Sequence, residues 1–360
     1  MFEIDTTILR RLNNQRRKLV DSDLSRPYEP TVSVIVPTLN AEKTIGELLD
    51  SLTNVEYDRD KLEIIVVDGG STDRTREIIQ SYPVKLVVEK KKGLNVARNV
   101  GVKNSTGEIV LFTDSDCVVP RDWIRQIVKN FREKDVGCVG GSVSRYEDNF
   151  LSRYADESIM PVLRRFSRRK KLENVKPPMN YPAGCNMAFR RDVFDRVGGF
   201  DEEIHYGFDE DEFVERVCNA GYSMILDPEA RIRHKHRTTL RSLLKQTFSY
   251  GKGGILVFRR KGVKYRIAKW NVALLVAFLT WLLLFFIFAF LSIFSLIYAA
   301  ILLLFSALPF TILVIFYAWK RLRRNRLAAV AYACLDILRL FAYCGGEIAG
   351  FFSDFKNTKN

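Results

Sequence analysis

The chain has 360 residues, which is enough for one large domain with an appendage or for two modest domains. Lys and Arg (56) outnumber Asp and Glu (42), giving a net charge of +14, and six cysteines without a Cys-x-x-Cys pair argue against a disulfide scaffold and for a reducing compartment. Two of the basic clusters, at 259–269 and 320–326, flank a long apolar stretch, so the positive charge points to membrane phosphates rather than to nucleic acid.

The N-terminal residues 1–28 are mixed polar and basic, contain no apolar signal segment, and are predicted to form a basic, partly helical arm. Residues 29–250 then alternate apolar runs typical of buried strands with segments that place apolar side chains at helical spacing. The predicted strands are 31–36, 62–67, 84–88 and 109–112, and the predicted helices are 42–52, 73–81 and 94–102. This order predicts an α/β domain with a doubly wound, mostly parallel sheet, in which ligands bind beyond the carboxyl ends of the strands.

The fourth predicted strand ends in an acidic pair, Asp114 and Asp116, separated by Ser115. Side chains two positions apart on extended chain point to the same face, and carboxylate oxygens are the ligands that Mg²⁺ and Mn²⁺ prefer. Taken alone, the pair also fits a solvated acidic turn. The other motifs of the chain are what favour a site where a divalent cation is held against phosphates.

Polar motifs also follow the other predicted elements. Residues 37–40 (Pro-Thr-Leu-Asn) follow the first strand, and residues 93–99 (Gly-Leu-Asn-Val-Ala-Arg-Asn) lead into the third helix. The second strand ends in Asp68, followed by two glycines that let the backbone approach a ligand closely. Asp68 could accept hydrogen bonds from a base or a ribose, although the same segment also fits an ordinary strand-to-helix turn.

Two groups in the second half of this domain could carry chemistry. Residues 209–211 (Asp-Glu-Asp) would either stabilise a helix N-terminus or include a general base. His234 and His236 are two of only three histidines. They could complete a metal shell or bind a diphosphate, and their spacing also suits the edge of an ordinary strand.

In this order the motifs resemble the nucleotide-sugar-binding half of the family 2 glycosyltransferases, the inverting enzymes of the GT-A fold, over about residues 32–250. The resemblance implies a divalent cofactor, Mg²⁺ or Mn²⁺, with Asp116 as its main ligand. The further metal ligands that it implies are Asp114, His234 and His236. The nucleotide-sugar site that it implies contains Pro37, Thr38, Asn40, Asp68, Gly69, Gly70, Arg98, Asp114 and Ser115. In that site Asp68 lies near the uracil or guanine edge, and Arg98 approaches the ribose, the phosphates or the acidic pair.

The resemblance also implies a general base in the acidic group. Counting back from residues 220–222 (Ala-Gly-Tyr) makes Glu210 the first choice, with Asp209 and Asp211 as alternatives. These alternatives stay open because the order of the acids departs from the Glu-Asp of relatives. Residues 246–250 lack the Gln-x-x-Arg-Trp of processive synthases, which argues against synthesis of a long polymer.

A long apolar stretch follows this domain. Residues 272–319 contain no charged side chain, and at about 1.5 Å per residue they can form two membrane-spanning helices that turn near 290–295. We therefore predict a basic juxtamembrane linker at 251–270 and a transmembrane hairpin at 271–319. The basic flanks indicate that both ends of the hairpin, and with them the catalytic domain, lie on the cytoplasmic side of the cell membrane.

A third apolar segment, at 327–353, differs from the hairpin because it carries Asp336, Arg339 and Glu347. Two consecutive glycines, at 345 and 346, are expected to interrupt it. The segment could span the bilayer, lie in the interface or pack against the hairpin.

The expected function is that of a membrane-anchored, metal-dependent hexosyltransferase. It would move a sugar from a UDP- or GDP-linked donor to a hydroxyl of a lipid-linked or cell-surface glycan. A polyprenyl (dolichyl)-phosphate glycosyl synthase is the nearest alternative, and it would have less need of a base because a phosphate acceptor is already anionic. A nucleotidyltransferase would more typically carry a Gly-rich, basic phosphate loop after its first strand. An inactive membrane scaffold would have no reason to retain the acids.

Overall fold

The computed structural model describes residues 28–159, 164–175, 180–204, 207–236, 239–262, 265–321 and 326–353, so the predicted N-terminal arm lies outside it except for its last residue. The described strands are β1 (Val32–Thr38), β2 (Leu62–Asp68), β3 (Lys85–Val88), β4 (Ile109–Phe112), β5 (Cys117–Val118), β6 (Val136–Arg145), β7 (Lys170–Leu172), β8 (Met187–Arg190) and β9 (Ser223–His234). The described helices before the apolar region are α1 (Ile45–Thr53), α2 (Thr75–Gln80), α3 (Leu94–Lys103), α4 (Trp123–Val128), α5 (Phe150–Glu157), α6 (Arg191–Val197), α7 (Asp209–Asn219) and α8 (Leu240–Lys261). The helices of the apolar region are α9 (Arg266–Leu291), α10 (Leu296–Arg321) and α11 (Arg326–Phe352).

The first four strands form the parallel half of one sheet, in the spatial order β3-β2-β1-β4. Every residue of β1 and of β4 is buried, as expected of apolar strands that are covered on both faces. The register pairs Thr38 with Asp68, so the ends of β1 and β2 meet at one edge of the sheet. The doubly wound arrangement is therefore confirmed, and the predicted strand 109–112 matches β4 in both bounds.

The second half of the sheet is mixed, so the parallel pairing expected for most of the sheet is concentrated in its first half. Strand β8 is antiparallel to both β4 and β6, and β9 is parallel to β6 but antiparallel to β5 and β7. The pairing of β5 with β9 sets Cys117 directly opposite His234. The end of β9 thus lies next to the acidic pair, although it is more than a hundred residues downstream in the sequence.

A cluster of phenylalanines holds α7 against the sheet. Phe213 of α7 packs against Phe200 at 4.2 Å between ring centroids and against Phe189 of β8 at 4.9 Å. Phe112, the last residue of β4, contacts Phe200 edge-on at 5.4 Å. Aromatic burial of this kind fixes an element firmly, so the acidic first turn of α7 is anchored close to the end of β4.

Helices α9 and α10 match the predicted hairpin, with a turn between residues 291 and 296. Their apolar parts, Ala268–Leu291 and Leu296–Trp319, have mean hydropathies of 2.8 and 2.6 and are long enough to cross a membrane. Large apolar side chains along both helices, such as Phe286 and Leu303, are mostly exposed. An apolar surface of this extent suits lipid better than water.

The residues predicted as a juxtamembrane linker largely continue a helix. Helix α8 runs without a break to Lys261, and Ile255, Leu256 and Val257 are buried. The sequence suggested a linker because this segment is rich in basic residues, and these residues cluster at the end of the helix. The apolar side chains of this part of the helix pack against α9 and α11, where Ile255 lies in one cluster with Leu275, Phe278 and Tyr343.

Helix α11 is continuous across the two glycines that were expected to interrupt it. A Cβ atom on Gly346 would lie 2.0 Å from the carbonyl oxygen of Phe248, and one on Gly251 would lie 1.9 Å from that of Tyr343. These glycines therefore allow α8 and α11 to approach backbone to backbone. Their role is helix packing, which outweighs the cost of glycine within a helix.

Asp336, Arg339 and Glu347 of α11 are buried against the protein. The carboxylate of Asp336 accepts hydrogen bonds from Tyr154 of α5 at 2.7 Å and from Tyr317 of α10. Arg339 donates to Thr247 of α8 at 3.1 Å. The apolar part of α11, Ala328–Phe352, is also long enough to cross a membrane, with a mean hydropathy of 1.4, but its polar face is docked on the catalytic domain.

Candidate active site

The ends of β1 and β2 form a rigid polar edge. Asp68 is buried, and its carboxylate accepts hydrogen bonds from the backbone N–H groups of Gly70 at 3.2 Å and Ser71 at 3.1 Å and from Arg76 Nε at 2.7 Å. Burial would raise the pKa of Asp68, but the hydrogen bonds from Ser71 and Arg76 outweigh it and hold the pKa below its usual value. Asp68 is therefore a fixed anionic acceptor at the sheet edge.

The loop after β1 lies directly against this edge. Gly69 donates its N–H to the carbonyl of Thr38 at 2.9 Å, and Asn40, at a φ of 50°, accepts from the N–H of Thr72 at 2.9 Å. Asparagine tolerates this left-handed backbone better than most residues do. The structure thus brings the predicted residues around Pro37 and those around Asp68 together into one surface.

Arg98 links α3 to the acidic helix. It is buried, its Nη1 forms an ion pair with Asp209, and the same nitrogen donates to Asn95 at 3.2 Å. The charge of Asp114 also acts on it. Arg98 was predicted to approach the donor or the acidic pair, and the structure gives it a direct carboxylate partner in Asp209.

The three acids at the start of α7 differ in exposure. The side chain of Glu210 is 15 % exposed, whereas that of Asp211 is 1 % exposed. Phe208, which precedes the turn, has a φ of 64°, an uncommon backbone for a bulky residue and one that often marks a functional site. Asp209 is occupied by Arg98, so Glu210 is the acid of the group that is most available to a ligand.

Burial, together with the charge of Asp209, raises the pKa of Glu210 to about 7. A carboxyl group with this pKa is a stronger base than an ordinary glutamate and is still substantially ionised at neutral pH. Burial also raises the pKa of Asp211 well above its usual value, and the charge of Glu210 adds to this effect. Each of these two carboxylates disfavours ionisation of the other. Glu210 is the more accessible of the two, so it is better suited to exchange a proton with a ligand.

Arg164 is a site residue that the sequence motifs did not reveal. Its guanidinium stacks over the ring of Tyr181 at 3.9 Å and lies 4.0 Å from Glu210 Oε1 and 3.8 Å from Asp211 Oδ1. It is only 12 % exposed. In the sequence it is one member of a basic cluster at 164–171, and nothing local distinguishes it from its neighbours.

Gly184, in the turn before β8, lies close to Arg98 and Glu210. A Cβ atom at this position would lie 2.5 Å from Arg98 Nη2 and 3.7 Å from Glu210 Cδ. A larger residue would therefore push directly on the Arg98–Asp209 pair and on Glu210. Glycine keeps this part of the site open.

The acidic pair and the histidine segment meet at a candidate metal site. His234 Nε2 lies 3.2 Å from Asp116 Oδ1. Burial would lower the pKa of His234, but the hydrogen bond and charge of Asp116 outweigh it and raise the pKa to about 9. One donor atom each of Asp116, Cys117 and His234 lies within 4.8 Å of the others. A carboxylate, an imidazole and a thiol at this spacing fit a divalent cation.

The other predicted ligands have different surroundings. His236 Nε2 lies 3.0 Å from Asp156 Oδ1, and Arg145 contacts the same carboxylate at 3.1 Å. The rings of His236 and His234 are 5.4 Å apart between centroids. Both histidines were predicted as metal ligands because period-two spacing treats them alike, and the candidate group of donor atoms contains His234. Asp114 lies at the end of β4, where burial raises its pKa, and Ser115 lies in the turn that leads to β5.

Comparisons with known proteins identify the family of the chain. A family profile described as glycosyl transferase family 2 matches residues 33–198, and one described as the N-terminal domain of galactosyltransferase matches residues 164–240. Glycosyltransferase AglE of Haloferax volcanii is 31% identical over 246 residues, which cover 66% of this chain and 77% of that protein.

Two further similarities support the same grouping. The dolichyl N-acetyl-alpha-D-glucosaminyl phosphate 3-beta-D-2,3-diacetamido-2,3-dideoxy-beta-D-glucuronosyltransferase of Methanococcus voltae is 23% identical over 261 residues, covering 64% of this chain and 74% of that protein. The mannosyltransferase PcManGT from Pyrobaculum calidifontis, solved in complex with GDP-Man and Mn²⁺, aligns with a TM-score of 0.55 at 23% identity. That alignment covers 88% of this chain and 87% of the mannosyltransferase, and it shows a common fold.

Proposed function

Because the chain belongs to glycosyl transferase family 2, we propose that it is a metal-dependent inverting hexosyltransferase, which moves a sugar from a UDP- or GDP-linked donor to a hydroxyl of a lipid-linked or cell-surface glycan. The observation that carries this proposal is the position of Glu210. It is the most exposed acid of its group, and its pKa is raised to about 7. A base of this kind is what a hydroxyl acceptor requires.

The donor would lie along the edge formed by the ends of β1, β2 and β4. Asp68 offers a fixed anionic acceptor for the N–H groups of a base or the hydroxyls of a ribose. Gly69 and Gly70 leave the backbone accessible for close approach. The structural neighbour solved with GDP-Man and Mn²⁺ supports a nucleotide-linked sugar as the donor.

Asp116 and His234 would hold the divalent cation, with Asp114 beside them. When bound, such a cation neutralises the charge that develops on the departing diphosphate. His236 would have a structural role instead, because its pairing with Asp156 braces the segment that carries His234. Arg98 would act through Asp209, fixing the first turn of α7 so that Glu210 points to the acceptor.

The acceptor would enter from the side of α7 and Arg164. Glu210 would take the proton of the acceptor hydroxyl, while Arg164 would stabilise the carboxylate in its ionised form before transfer. A lipid-linked acceptor is supported by the apolar helices that follow the domain and by the dolichyl-phosphate substrate in the name of the relative from Methanococcus voltae. The basic clusters beside the hairpin support a cytoplasmic orientation.

A second candidate is a polyprenyl-phosphate glycosyl synthase, and the observation that favours it is Arg164. A guanidinium that is 12 % exposed and 4.0 Å from Glu210 could bind an acceptor phosphate as well as orient a base. The two candidates differ in their need for Glu210, because a phosphate acceptor is already ionised.

The proposed function is tested with the full chain in detergent, Mn²⁺, a panel of radiolabelled UDP- and GDP-sugars, and lipid extract as acceptor. We expect one donor to yield labelled glycolipid, and Asp116→Asn to abolish the product. Asp60→Asn changes an exposed aspartate far from the site and should retain wild-type activity. If Asp116→Asn transfers as fast as the wild type, the metal-dependent mechanism is wrong.

A further inference from the structure

Helix α5 is attached to the apolar helices by hydrogen bonds between buried side chains. Tyr154 of α5 donates to the carboxylate of Asp336 in α11 at 2.7 Å, and Tyr317 of α10 donates to the same carboxylate. The hydroxyl of Tyr317 also accepts a hydrogen bond from the backbone N–H of Ile159, which follows α5, at 2.8 Å. One carboxylate of α11 therefore ties α5 to two of the apolar helices.

A buried cation of α11 strengthens the same attachment. Arg339 lies one turn after Asp336 and donates to the hydroxyl of Ser158 at 3.2 Å. Both charged side chains are only 3% exposed. Charged side chains are costly in an apolar helix and are rare there unless they have a function. The proposed transfer chemistry uses neither residue, so their contacts with α5 need an explanation of their own.

The opposite side of α5 contacts the segment that carries Arg164. Positions two apart on a helix point in nearly opposite directions, so Asp156 faces away from Tyr154. The carboxylate of Asp156 is fully buried and lies 3.4 Å from Arg165, the neighbour of Arg164 in the chain, and 3.1 Å from Arg145 of β6. Helix α5 is thus packed between α11 on one side and the backbone next to Arg164 on the other.

The guanidinium of Arg164 depends on the backbone that carries it. It stacks on Tyr181 and lies 3.8–4.0 Å from two carboxylates, but its Nε has no hydrogen-bond partner within the described part of the chain. Its backbone carbonyl accepts a hydrogen bond from the N–H of Val143 at 2.8 Å. A small shift of this backbone would therefore move the guanidinium away from Glu210.

We propose that Asp336 and Arg339 are positioning residues for the acceptor side of the active site. They hold α5, and α5 in turn holds the segment of Arg164 through Asp156. The inference rests on the proposed function, because it concerns how an acceptor is bound beside Glu210. Coupling between two sites is reciprocal, so acceptor binding and the docking of α11 on the domain should favour each other.

The metal and donor side should depend much less on this attachment. Asp156 also pairs with His236 at 3.0 Å, two residues beyond His234. The backbone of His234, however, is fixed independently, because β9 pairs with both β5 and β6 at this residue. Loss of the attachment should therefore weaken acceptor binding while it leaves binding of the metal and the donor unchanged.

The test compares Tyr154→Phe with Tyr343→Phe in the full chain in detergent. The hydroxyl of Tyr343, also in α11, donates to Asn271 of α9 at 2.9 Å, so both variants lose one buried hydrogen bond of α11. Only the first of these bonds reaches α5. Tyr317→Phe, which also breaks the bond to Ile159, is a second variant and should act like Tyr154→Phe.

Hydrogen exchange followed by mass spectrometry tests the attachment without any substrate. Tyr154→Phe should accelerate exchange in α5 and also at Val143 and Phe166, whose N–H groups bond to the Arg164 carbonyl and, at 2.9 Å, to the Ser142 hydroxyl. Tyr343→Phe should leave these peptides at the wild-type rate. In the transfer assay, the KM for the lipid acceptor should rise about fivefold or more in Tyr154→Phe. The Kd of the nucleotide sugar and Mn²⁺ binding, followed by electron paramagnetic resonance, should not change.

The outcomes separate this inference from the proposed function. If exchange accelerates within α5 alone, if the acceptor KM is unchanged, or if Tyr343→Phe raises it equally, the positioning role is wrong and the proposed function stands. If exchange spreads to Val143 and Phe166 but the wild type transfers no sugar from any donor, the link from α11 to the Arg164 segment stands and the proposed function is wrong.

Discussion

Replacing Arg98 with methionine should destabilise the catalytic domain strongly, because it leaves Asp209 buried without its partner. Both side chains are almost fully excluded from solvent, at 2% and 6% exposure, so water does not screen the pair. Removing one member of such a buried pair costs about 3–5 kcal/mol in the free energy of unfolding. At about 2–4 °C per kcal/mol for a domain of this size, the Tm should fall by roughly 6–20 °C.

The double variant Arg98→Met/Asp209→Leu should recover most of this loss, since it removes the unpaired charge as well. Thermal unfolding of the full chain in detergent, followed by intrinsic fluorescence, measures both effects. Arg125→Met provides the control because its side chain is half exposed, and its free energy of unfolding should change by no more than about 0.5 kcal/mol. A Tm for Arg98→Met within about 2 °C of the wild type would refute the reasoning, as would a double variant less stable than either single one.

Three further outcomes follow from the site and its surroundings. The rate of transfer at saturating substrates should rise about tenfold per pH unit below pH ~7 and level off above it. The reason is that burial raises the pKa of Glu210 to about 7 and only its carboxylate form accepts a proton. A rate that is constant from about pH 5 to 9 would contradict this. His234→Gln should weaken Mn²⁺ binding, measured by electron paramagnetic resonance, by about 10–100-fold or more. His236→Gln should change Mn²⁺ binding only a few-fold, because His236 is paired with Asp156. Equal losses would show that both histidines bind the metal. Ending the chain after Tyr250 should give an insoluble or low-melting fragment, since it removes the buried half of α8 and the hydrogen bond that Tyr154 donates to Asp336. A soluble fragment that melts like the full chain would count against the docked arrangement of α11.

The parts of the fold that local sequence patterns control were predictable. The apolar run before Asp114 and the glycines after Asp68 each mark the end of a buried strand, and parallel strands bring such ends to one edge. The ordered set of motifs was therefore enough to predict that the ends of β1, β2 and β4 are neighbours at one edge of the sheet. The turn between α9 and α10 was predictable for a similar reason, since length and hydropathy alone fix where two spans must separate.

The contacts that sequence patterns did not reveal all join distant parts of the chain. Arg98 and Asp209 are 111 residues apart, and no local periodicity couples α3 to α7. His234 lies beside Asp116 because β9 pairs with the two-residue strand β5, whereas His236 is hydrogen-bonded to Asp156. A strand this short carries almost no pattern of its own, so the difference between the two histidines depends on tertiary pairing.

The same limit applies to the apolar end of the chain. Asp336 and two glycines made the third apolar segment look interrupted and polar. In the folded chain Asp336 is bonded to Tyr154, and Gly346 gives α8 the room to pack. Hydropathy describes each helix by itself, whereas the roles of these residues depend on the surface that they contact.

The most direct test of the proposed reaction compares Glu210→Gln with the wild type in the lipid-acceptor assay, with donor affinity measured in parallel. The amide keeps the size and polarity of the side chain but cannot accept the proton. We predict that transfer falls by roughly 10²–10⁴-fold while the Kd of the nucleotide sugar stays the same. Glu229→Gln, at an exposed position of β9, should transfer normally. Normal transfer by Glu210→Gln would contradict the role of this carboxylate as the base and would favour a phosphate acceptor bound by Arg164.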